Sequence, residues 1–580
     1  MTMVSHIPTR AELAPGTTKI DIDRIGMCLD TCDARRLDVI ECTNREEKAM
    51  RADALIDEQF AGELAAAGLY EARTLWDLAV SAPSDRIAVV CPVNGEVTYQ
   101  TLVTEALALA TRWFDEGLRP EDVVILQVPN SYEFVLAHLA LTRLGAITLA
   151  VPTNYRGTEL RMIAEASRAR GLVCHPGHRA CPGHEVFEKL RATVSFVWPV
   201  EGGALRAAGA CLSGVTLPPP PDPDDVTLMM STSGTTGIPK LVLHTHRGTV
   251  GGMVQAVAEA MGLNSSDVLF APSPLAHASG LQYGVRLAIA LGTTLLLLDK
   301  WDPDEATLLV ERYRGTWALG ATPFLYDLCK LPEDRRRRLT SLRVFACGGA
   351  PIPQSVARTA REALPSVSIC PAWGMSETGM VTVLRPDDPA EKIVSTDGRV
   401  IPGWQLRIRA VKGRDAAPNE VGEIQVRGAG LYHGYYRRPD LTKEAVPDGW
   451  LRTGDLGYLD EDGFLRCEGR IKDLIIRGGV NISSVEVEEE VRSHPHIEDV
   501  AIIGVPDPRL GERVGAIVIP ARSTEEVPGV EELGAYLVAR GLARNKHPEH
   551  IAVVDEFPKT PAGKVQKHVL RARYAPTDAG

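Results

Sequence analysis

The sequence contains no long apolar run. None of its stretches approaches the length of about 18 uninterrupted apolar residues that a helix needs to cross a membrane. Residues 1–21 also lack the apolar core of a secretory signal peptide. The eleven cysteines are scattered, and Cys28, Cys32 and Cys42 have neither a metal-binding nor a disulfide spacing. These absences argue against secretion and against a membrane span, and they favour a reducing cytoplasm.

Basic residues are fewer than acidic ones, with 63 Lys and Arg against 75 Asp and Glu, for a formal net charge of −12. This balance argues against a general nucleic-acid-binding protein. A chain of 580 residues is too long for one hydrophobic core and is expected to form two or more domains. Residues 1–50 mix charge and cysteine with few large apolar side chains, and they predict an N-terminal extension of unassigned function.

The sequence does contain a glycine- and hydroxyl-rich segment, STSGTTGIPK, directly after an apolar run at residues 226–230. The apolar run predicts a buried strand that delivers this segment to a sheet edge. Gly234 and Gly237 can adopt positive φ, the hydroxyl side chains can donate to an anion, and Lys240 adds positive charge. We predict a triphosphate-binding loop made of Ser231, Thr232, Ser233, Gly234, Thr235, Thr236, Gly237 and Lys240.

Two other interpretations of this segment are weaker. In the Walker form the lysine directly follows the second glycine, which is not the order found here, so an ordinary P-loop nucleotide hydrolase is disfavoured. A flexible surface linker is also disfavoured, because linkers seldom lie between two apolar runs. His244 and His246 follow the segment two residues apart, but no carboxylate or cysteine stands at ligand spacing, which argues against a metal site there.

Strand and helix patterns alternate before the segment. Residues 86–92, 123–128 and 146–151 predict strands, and residues 131–144 predict an amphipathic helix with Ser131 near its cap. Repeats of strand, helix and strand at this spacing indicate a parallel sheet that is covered on both faces.

Six later motifs are each weak evidence by themselves. A lone His277 is more often structural, an aspartate after a glycine is often only a turn residue, and a basic terminal segment is often a solvated end. The motifs are VLFAPSPLAHASG (268–280), LRVFACGGAPIP (342–353), PAWGMSETG (371–379), WLRTGD (450–455), GRIKDLIIRGGVNI (469–482) and PKTPAGKVQK (558–567).

Together with the loop, these motifs resemble, in the same order across about residues 73–570, those of the adenylate-forming superfamily. This superfamily comprises acyl- and aryl-CoA synthetases, the adenylation domains of peptide synthetases, and the luciferases. The resemblance implies an α/β fold: a large N-terminal domain of two stacked sheet layers with flanking helices plus a small β-barrel, and a small mobile α+β C-terminal domain. It implies a large adenylating domain at residues 51–471 and a mobile domain at residues 472–580, with the hinge at Lys472.

The resemblance also implies the ligands: ATP, Mg²⁺, and coenzyme A or the phosphopantetheine of a carrier protein. By match, Trp373 stacks on adenine, Ser376 reaches the α-phosphate and Glu377 helps to hold magnesium. Trp373 and Ser376 replace the usual Tyr and Thr but keep a π-face and a hydroxyl. By the same resemblance, Asp455 binds both ribose hydroxyls. The matched nucleotide- and CoA-binding residues beyond the loop are Gly349, Ala350, Pro351, Trp373, Gly374, Met375, Ser376, Asp455, Arg470, Lys472, Gly478 and Gly479.

Four residues are implied to be catalytic: Lys564, Glu377, Lys240 and His277. By resemblance, Lys564 bridges the substrate carboxylate and the α-phosphate, and His277 lies near the carboxylate that is activated. Synthetases for 2-hydroxybenzoates carry Asn after this histidine, so Ala278 counts against that subgroup. The predicted acyl pocket consists of His277, Ala278, Gly280, Tyr283, Phe324, Gly348 and Gly349.

The detailed pattern looks most like cyclohexanecarboxylate-type and medium-chain acyl-CoA ligases, and it implies a bulky alicyclic, terpenoid, aryl or medium-chain acid. The predicted reaction gives acyl-CoA, AMP and pyrophosphate. Two alternatives stay open: a stand-alone adenylating enzyme that supplies a carrier protein or a thioester-forming partner, and a non-catalytic nucleotide-binding relative. The sequence leaves the oligomeric state open, with a homodimer as one alternative.

Overall fold

The computed structural model describes residues 55–56, 58–200, 205, 214–232, 240–349, 352, 354–410, 413–521, 526–559 and 565–574. These residues belong to one compact unit, Leu55–Gly580. The predicted N-terminal extension, residues 1–50, lies outside the described residues.

The described residues form four sheets. In chain order the strands are β1 (Ile87–Cys91), β2 (Gly95–Thr98), β3 (Val123–Gln127), β4 (Ile147–Ala150), β5 (Gly171–Cys174), β6 (Phe196–Pro199), β7 (Val226–Thr232), β8 (Lys240–Thr245), β9 (Val268–Ala271), β10 (Thr294–Leu297), β11 (Trp317–Gly320), β12 (Val344–Gly348), β13 (Ser368–Met375), β14 (Gly379–Val383), β15 (Arg399–Val400), β16 (Trp404–Arg409), β17 (Gly422–Gly428), β18 (Gly434–Tyr435), β19 (Leu451–Leu459), β20 (Leu465–Arg470), β21 (Ile475–Arg477), β22 (Val480–Ile482), β23 (Ile497–Asp507), β24 (Gly511–Pro520) and β25 (His550–Val553).

Two large sheets make up the N-terminal domain. The nine-stranded sheet has the order β15-β14-β13-β12-β11-β9-β10-β1-β2, and its strands from β13 to β1 pair in parallel. The seven-stranded sheet has the order β18-β8-β7-β4-β3-β5-β6, with parallel pairing from β7 to β6. The predicted parallel arrangement of β3 and β4 is therefore confirmed, with Val123 opposite Ile147.

Antiparallel strands extend each large sheet at one edge or both. In the nine-stranded sheet β14 turns back on β13, and in the seven-stranded sheet β8 turns back on β7. The turn from β13 to β14 comprises residues 376–378 and lies within a predicted motif. Residues 233–239, between β7 and β8, lie outside the described residues.

Helices cover the sheets. The helical segments are Glu58–Ala66, Leu75–Ser81, Tyr99–Asp115, Tyr132–Leu144, Gly157–Ser167, His184–Leu190, Gly248–Gln255, Ala256–Met261, Ala278–Gly280, Leu281–Arg286, Leu287–Leu291, Pro303–Tyr313, Thr322–Lys330, Glu333–Arg336, Arg337–Ser341, Gln354–Ala363, Lys392–Ser395, Pro439–Ala445, Ile471–Asp473, Ser484–Arg492, Val530–Ala539, Arg544–Lys546 and Lys567–Tyr574. None of those in the described part of the chain has the length and apolar character needed to cross a membrane.

The helix Tyr132–Leu144 differs from its prediction. Instead of showing an exposed polar face, it buries all its residues except Glu133 and Arg143. Ser131 is the N-cap residue, but its side chain makes no capping hydrogen bond. The helix is buried because it packs into the largest hydrophobic core cluster, together with side chains from both large sheets.

Two helical segments have π-type hydrogen bonding, Gly248–Gln255 and Leu281–Arg286. The first packs against the chain near residue 430, where a Cβ on Gly252 would lie 2.0 Å from the backbone nitrogen of Gly430. Only glycine allows the two backbones to approach this closely. π-Type turns are frequent at functional sites, and both segments lie beside predicted motifs.

The other two sheets of the described residues are smaller. The strands β16-β17-β19-β20 form an antiparallel sheet where the sequence predicts a small barrel. The C-terminal domain has the sheet order β22-β21-β24-β23, with β25 added in parallel to β24, and helices such as Ser484–Arg492 pack on it. The mixed α/β fold, with a large N-terminal and a smaller C-terminal domain, is confirmed.

Candidate active site

The strands on either side of the predicted phosphate loop are paired with each other. β7 and β8 pair antiparallel, and Thr232 at the end of β7 stands opposite Lys240 at the start of β8. The Thr232 hydroxyl donates to the Lys240 carbonyl over 3.3 Å, and Ser231 is half-buried in the same strand. The loop residues Ser233, Gly234, Thr235, Thr236 and Gly237 lie outside the described residues, so their roles stay predictions.

The motif at residues 371–379 forms the end of β13 and a tight turn. β13 ends at Met375, the turn comprises residues 376–378, and β14 begins at Gly379. A bulge separates Trp373 from Gly374, and a Cβ on Gly374 would lie only 1.9 Å from the Gly379 carbonyl oxygen. The glycine therefore brings the two strands together and fixes where the turn projects.

Glu377 is a buried carboxylate, only 6% exposed. The Tyr435 hydroxyl donates to Glu377 Oε1 over 2.9 Å. Burial raises the pKa of Glu377, whereas the Tyr435 hydrogen bond and the charges of Lys240 and Arg470 act to lower it. The ammonium of Lys240 lies 4.9 Å from the Tyr435 ring centroid, so the lysine, the tyrosine and the carboxylate form one chain of contacts.

Asp455 is the centre of a second cluster. It lies on β19 opposite Arg470 of β20, and the Arg470 Nε is 3.2 Å from Asp455 Oδ1. The Trp373 indole Nε1 donates to the other carboxylate oxygen, Oδ2, over 3.1 Å. Since Asp455 is only 7% exposed, this cation and this donor stabilise a carboxylate that burial would otherwise penalise.

His244 contacts the turn that carries Glu377. It lies on β8, and its Nε2 is 2.8 Å from the Ser376 carbonyl oxygen. Burial lowers the pKa of His244 to about 4, and the nearby positive charge of Arg286 acts in the same direction. The ring is therefore neutral at physiological pH. Sequence reasoning treated His244 only as a rejected metal ligand and missed this contact.

The predicted hinge directly follows β20. Lys472 belongs to the short 3₁₀ turn Ile471–Asp473, and its carbonyl accepts a hydrogen bond of 3.1 Å from Arg571 of the last helix. Partial desolvation and the neighbouring charge of Arg470 lower the pKa of Lys472. Gly478 and Gly479 form the exposed tip of the β21–β22 hairpin, with φ of 58° and 84°. Such a two-residue turn needs positive φ at both positions.

Lys564 lies outside the described residues. The chain on either side of residues 560–564 is paired, because Lys559 forms an antiparallel bridge with Val565. The Gln566 N–H also donates to the Pro558 carbonyl over 2.7 Å. The assignment of Lys564 to catalysis stays a prediction.

The predicted acyl-pocket residues differ in their surroundings. His277 is the N-cap residue of the short helix Ala278–Gly280, and both His277 and Ala278 are half-exposed. Gly280 is buried, and a Cβ on it would lie 2.3 Å from the Pro274 carbonyl oxygen. The missing side chain at Gly280 is thus explained by packing against Pro274, a reason the sequence did not show.

Two predicted aromatic walls have neighbours of their own. The Tyr283 hydroxyl is buried and accepts the Met380 N–H, which joins a π-type segment to β14. Phe324 lies edge-on to Trp301, with ring centroids 4.9 Å apart. These contacts fix both rings in place.

The motif at residues 342–353 ends β12 at Gly348. A Cβ on Gly348 would lie 3.0 Å from the Ala372 carbonyl oxygen, whereas Gly349, with φ of 90°, is exposed and borders open space. An exposed glycine backbone beside β13 suits the approach of a planar base. Ala350 and Pro351 lie outside the described residues.

Residues 76–436 match the family described as AMP-binding enzyme, and residues 486–564 match the AMP-binding enzyme C-terminal domain. The first match covers more than half of the chain. The chain belongs to the AMP-binding enzyme family. The predicted membership of the adenylate-forming superfamily is confirmed.

Relatives of this AMP-binding enzyme support the assignment. It is 32% identical to the medium-chain fatty-acid–CoA ligase of Escherichia coli (strain K12), over 90% of this chain and 94% of that protein. It is also 32% identical to the 2,3-dihydroxybenzoate-AMP ligase of Bacillus subtilis (strain 168), over 84% of this chain and 90% of that protein. The solved structure of an amide bond synthetase from Marinactinospora thermotolerans has 30% sequence identity to this chain and a TM-score of 0.77, over 86% of this chain and 99% of that one. The protein is an AMP-forming acid–thiol ligase.

The donors present fit Mg²⁺ bound together with a triphosphate. Glu377 offers a hard oxygen ligand that is already oriented by Tyr435. In the described part of the chain no group of three or more His, Cys, Asp or Glu side chains could hold a metal ion. A cation at Glu377 would therefore take most of its ligands from phosphate oxygens and water, as Mg²⁺ commonly does.

Proposed function

We propose that this AMP-binding enzyme activates a carboxylic acid with ATP and transfers the acyl group to coenzyme A. The products are acyl-CoA, AMP and pyrophosphate. The observation that carries this proposal is the position of β13. This strand ends between the cluster around Asp455 and the chain of contacts that links Glu377, Tyr435 and Lys240. Trp373 contacts Asp455, and four residues further on Glu377 contacts Tyr435. One strand end thus joins a site suited to a nucleoside with a site suited to metal-bound phosphates.

In the first half-reaction the substrate carboxylate attacks the α-phosphate of ATP, and pyrophosphate leaves. Lys240 and the phosphate loop offset the charge of the leaving group, and Ser376 reaches the α-phosphate. Mg²⁺, when bound at Glu377, neutralises phosphate charge. Asp455 and Arg470 hold the ribose, and Trp373 provides a face for adenine. The outcome is an acyl-adenylate with AMP as a good leaving group.

In the second half-reaction the thiol of CoA attacks the acyl carbon and displaces AMP. Lys564 is needed for the first step, yet it would stand where the thiol must enter. We therefore place a hinge at Lys472 and propose that residues 472–580 rotate between the two steps. This movement withdraws Lys564 and brings the Gly478–Gly479 turn to the channel for the thiol.

The proposed substrate is a bulky alicyclic, terpenoid, aryl or medium-chain acid. The relatives support this breadth, because one is named for a medium-chain fatty acid and another for 2,3-dihydroxybenzoate. Ala278 after His277 speaks against a 2-hydroxybenzoate, so the second relative supports the aryl class and not 2,3-dihydroxybenzoate itself. His277, Ala278 and Phe324 are half-exposed and available to line the acyl pocket.

The test is carboxylate-dependent ATP–pyrophosphate exchange across a panel of acids, followed by detection of the thioester with free CoA. We expect exchange with at least one acid of the proposed classes, and a CoA thioester of the same acid. Absence of exchange with every acid in the panel would contradict the proposal.

A second acceptor is supported by one relative, which is named as an AMP ligase rather than a CoA ligase. In this alternative the enzyme delivers its acyl group to the phosphopantetheine of a separate carrier protein. Exchange activity without a CoA product, together with acylation of a holo-carrier protein, would favour this acceptor.

A further inference from the structure

His244 is a buried histidine whose role the reaction does not explain. It is only 1% exposed. It lies near the C-terminal end of β8, whereas Lys240, next to the phosphate loop, begins this strand. Its Nε2 lies 2.8 Å from the Ser376 carbonyl oxygen. Because a carbonyl oxygen can only accept, the proton is on Nε2 and His244 is the donor.

The turn that His244 contacts is held from one side by two neighbouring strands. The Tyr432 N–H, just before β18, donates to the Glu377 carbonyl over 2.8 Å. The Tyr435 hydroxyl, within β18, donates to the Glu377 carboxylate. β18 pairs antiparallel with β8, so the donors to Ser376 and Glu377 come from one unit of the seven-stranded sheet. The turn itself belongs to the nine-stranded sheet.

β8 also carries Lys240, the last residue of the phosphate loop. Residues 240, 242 and 244 lie on the same face of the strand, because side chains alternate along a β-strand. Lys240 and His244 are therefore held at a fixed separation by one rigid element. The hydrogen bond from His244 to Ser376 therefore fixes the position of the turn at residues 376–378 relative to Lys240.

We propose that His244 is a positioning residue for adenylation: its hydrogen bond to the Ser376 carbonyl sets the turn bearing Ser376 and Glu377 relative to Lys240. The roles of Ser376, Glu377 and Lys240 in this statement rest on the proposed function. His244 does not touch ATP or the acid. It acts by keeping the metal carboxylate and the α-phosphate hydroxyl at the correct distance from the cation that binds the departing phosphates.

The size of the side chain decides which substitutions preserve this bond. Gln places its amide nitrogen near the position of His Nε2, whereas Asn places it near Nδ1, too far from Ser376. Leu fills the space but offers no donor and leaves the partly buried Ser376 carbonyl without this hydrogen bond. H244Q is therefore the conservative variant, and H244N and H244L both remove the bond, the first by a polar change and the second by an apolar one.

The experiment measures ATP–pyrophosphate exchange against Mg²⁺ concentration, together with calorimetric binding of ATP in Mg²⁺ and in EDTA. For H244L and H244N we expect a fall in exchange kcat and a rise in the half-saturating Mg²⁺ concentration, each about tenfold, as for other residues that orient metal ligands. Binding of ATP in EDTA and thioester formation from a supplied acyl-adenylate should stay near wild type. H244Q should recover most of the loss.

The matched control is H138L, which removes a buried histidine that contacts Thr148 and Arg286 rather than the turn. It should lower the melting temperature without changing the Mg²⁺ dependence. If H244L and H244N lower the melting temperature but leave the Mg²⁺ dependence at wild type, or if H244Q is as impaired as H244N, the proposal is wrong.

The calorimetric arm separates this proposal from the proposed function. If the wild type showed no exchange with any acid, the proposed function would fail, and the comparison of ATP binding with and without Mg²⁺ would still be decisive. A selective loss of Mg²⁺-dependent ATP binding in H244N supports the positioning role. Equal binding by H244N and wild type under both conditions overturns it.

Discussion

At the scale of single residues, Trp373 has two properties, an aromatic face and an N–H donor, of which a phenylalanine would keep only the first. Its indole offers a flat face, and its N–H donates to Asp455. A hydrogen bond to a charged group contributes about 1.5–3 kcal/mol. The structure therefore indicates that Trp373 orients the Asp455 carboxylate, which we propose binds the ribose, and this contact is separate from the proposed stacking of Trp373 on adenine.

The variant W373F removes the N–H but keeps a ring. We expect KM for ATP to rise roughly tenfold, and the preference for ATP over 2′-deoxy-ATP to fall, because Asp455 loses one of its fixed partners. Steady-state exchange kinetics with both nucleotides measure the effect. The matched control is W198F, which breaks a remote indole–carboxylate bond to Glu116 and should leave this preference unchanged. An unaltered preference in W373F would contradict the interpretation.

The ionisation of Glu377 is expected to make the rate of adenylation depend on pH. Burial raises its pKa and the Tyr435 hydroxyl lowers it, so Y435F should raise the pKa further. A carboxylate must be ionised to hold a cation, and ionisation will then require a higher pH. The acid limb of the pH–rate profile should shift upward by about one unit, which corresponds to about 1.4 kcal/mol.

The Y435F profile is read beside that of Y99F. Phe at position 435 keeps the ring that faces Lys240, so the shift reports the hydroxyl alone. Tyr99 is a buried tyrosine whose hydroxyl contacts the backbone carbonyls of Ala288 and Thr293, which are not part of this turn, and its loss should lower stability without moving the acid limb. A downward shift of the acid limb in Y435F would contradict this prediction.

At the scale of elements, a substitution at Gly280 can test whether this glycine is required for packing or for substrate selection. Its φ is −73°, which any residue can adopt, but a Cβ would collide with the Pro274 carbonyl. We expect G280A to lower stability by about 1–3 kcal/mol, as overpacking does. Denaturant unfolding measures this change. If G280A changed acid selectivity without loss of stability, Gly280 would line the acyl pocket as the sequence suggested.

The control for G280A is the same substitution in an open position. Gly534 lies within the helix Val530–Ala539, where a new Cβ would meet only His547 at 3.7 Å. G534A should raise stability by about 0.5–1 kcal/mol, because alanine favours a helix interior. The opposite signs of the two substitutions would show that the neighbouring backbone, not the loss of glycine, causes the effect.

Elements with a clear hydrophobic period were predictable from the sequence, and those defined by packing were not. The strands β1, β3 and β4 follow apolar runs and appear where expected. The burial of the helix Tyr132–Leu144 on nearly all sides depends on a second sheet that its own sequence does not encode. The π-type segments and the contact from His244 to Ser376 likewise depend on residues distant in sequence, 132 positions apart in the latter case.

At the scale of the whole molecule, the proposed mechanism requires a different placement of Lys564 in each half-reaction. K564A should abolish adenylation and largely spare thioester formation from a supplied acyl-adenylate, because only the first step uses the lysine. The two steps are measured separately, by pyrophosphate exchange and by thioester detection. Equal loss of both would contradict the hinge.

The control for this prediction lies on the same segment. Lys559 pairs with Val565 through the backbone, so K559A keeps that pairing and should retain both half-reactions.

The order of domains and the site motifs could be predicted because the motifs resemble a known superfamily. The identity of the acid could not, because the shape of a pocket depends on side chains from many elements.

The contact between Trp373 and Asp455 makes the molecule its own optical probe. Indole emission depends on whether the N–H is hydrogen-bonded and on what stacks against the ring, and nucleotide binding at this site would change both. The protein has eight tryptophans, so the signal of Trp373 is isolated as the difference between wild type and W373F. Stopped-flow fluorescence could then time nucleotide arrival and departure without a label, whichever acid the enzyme uses.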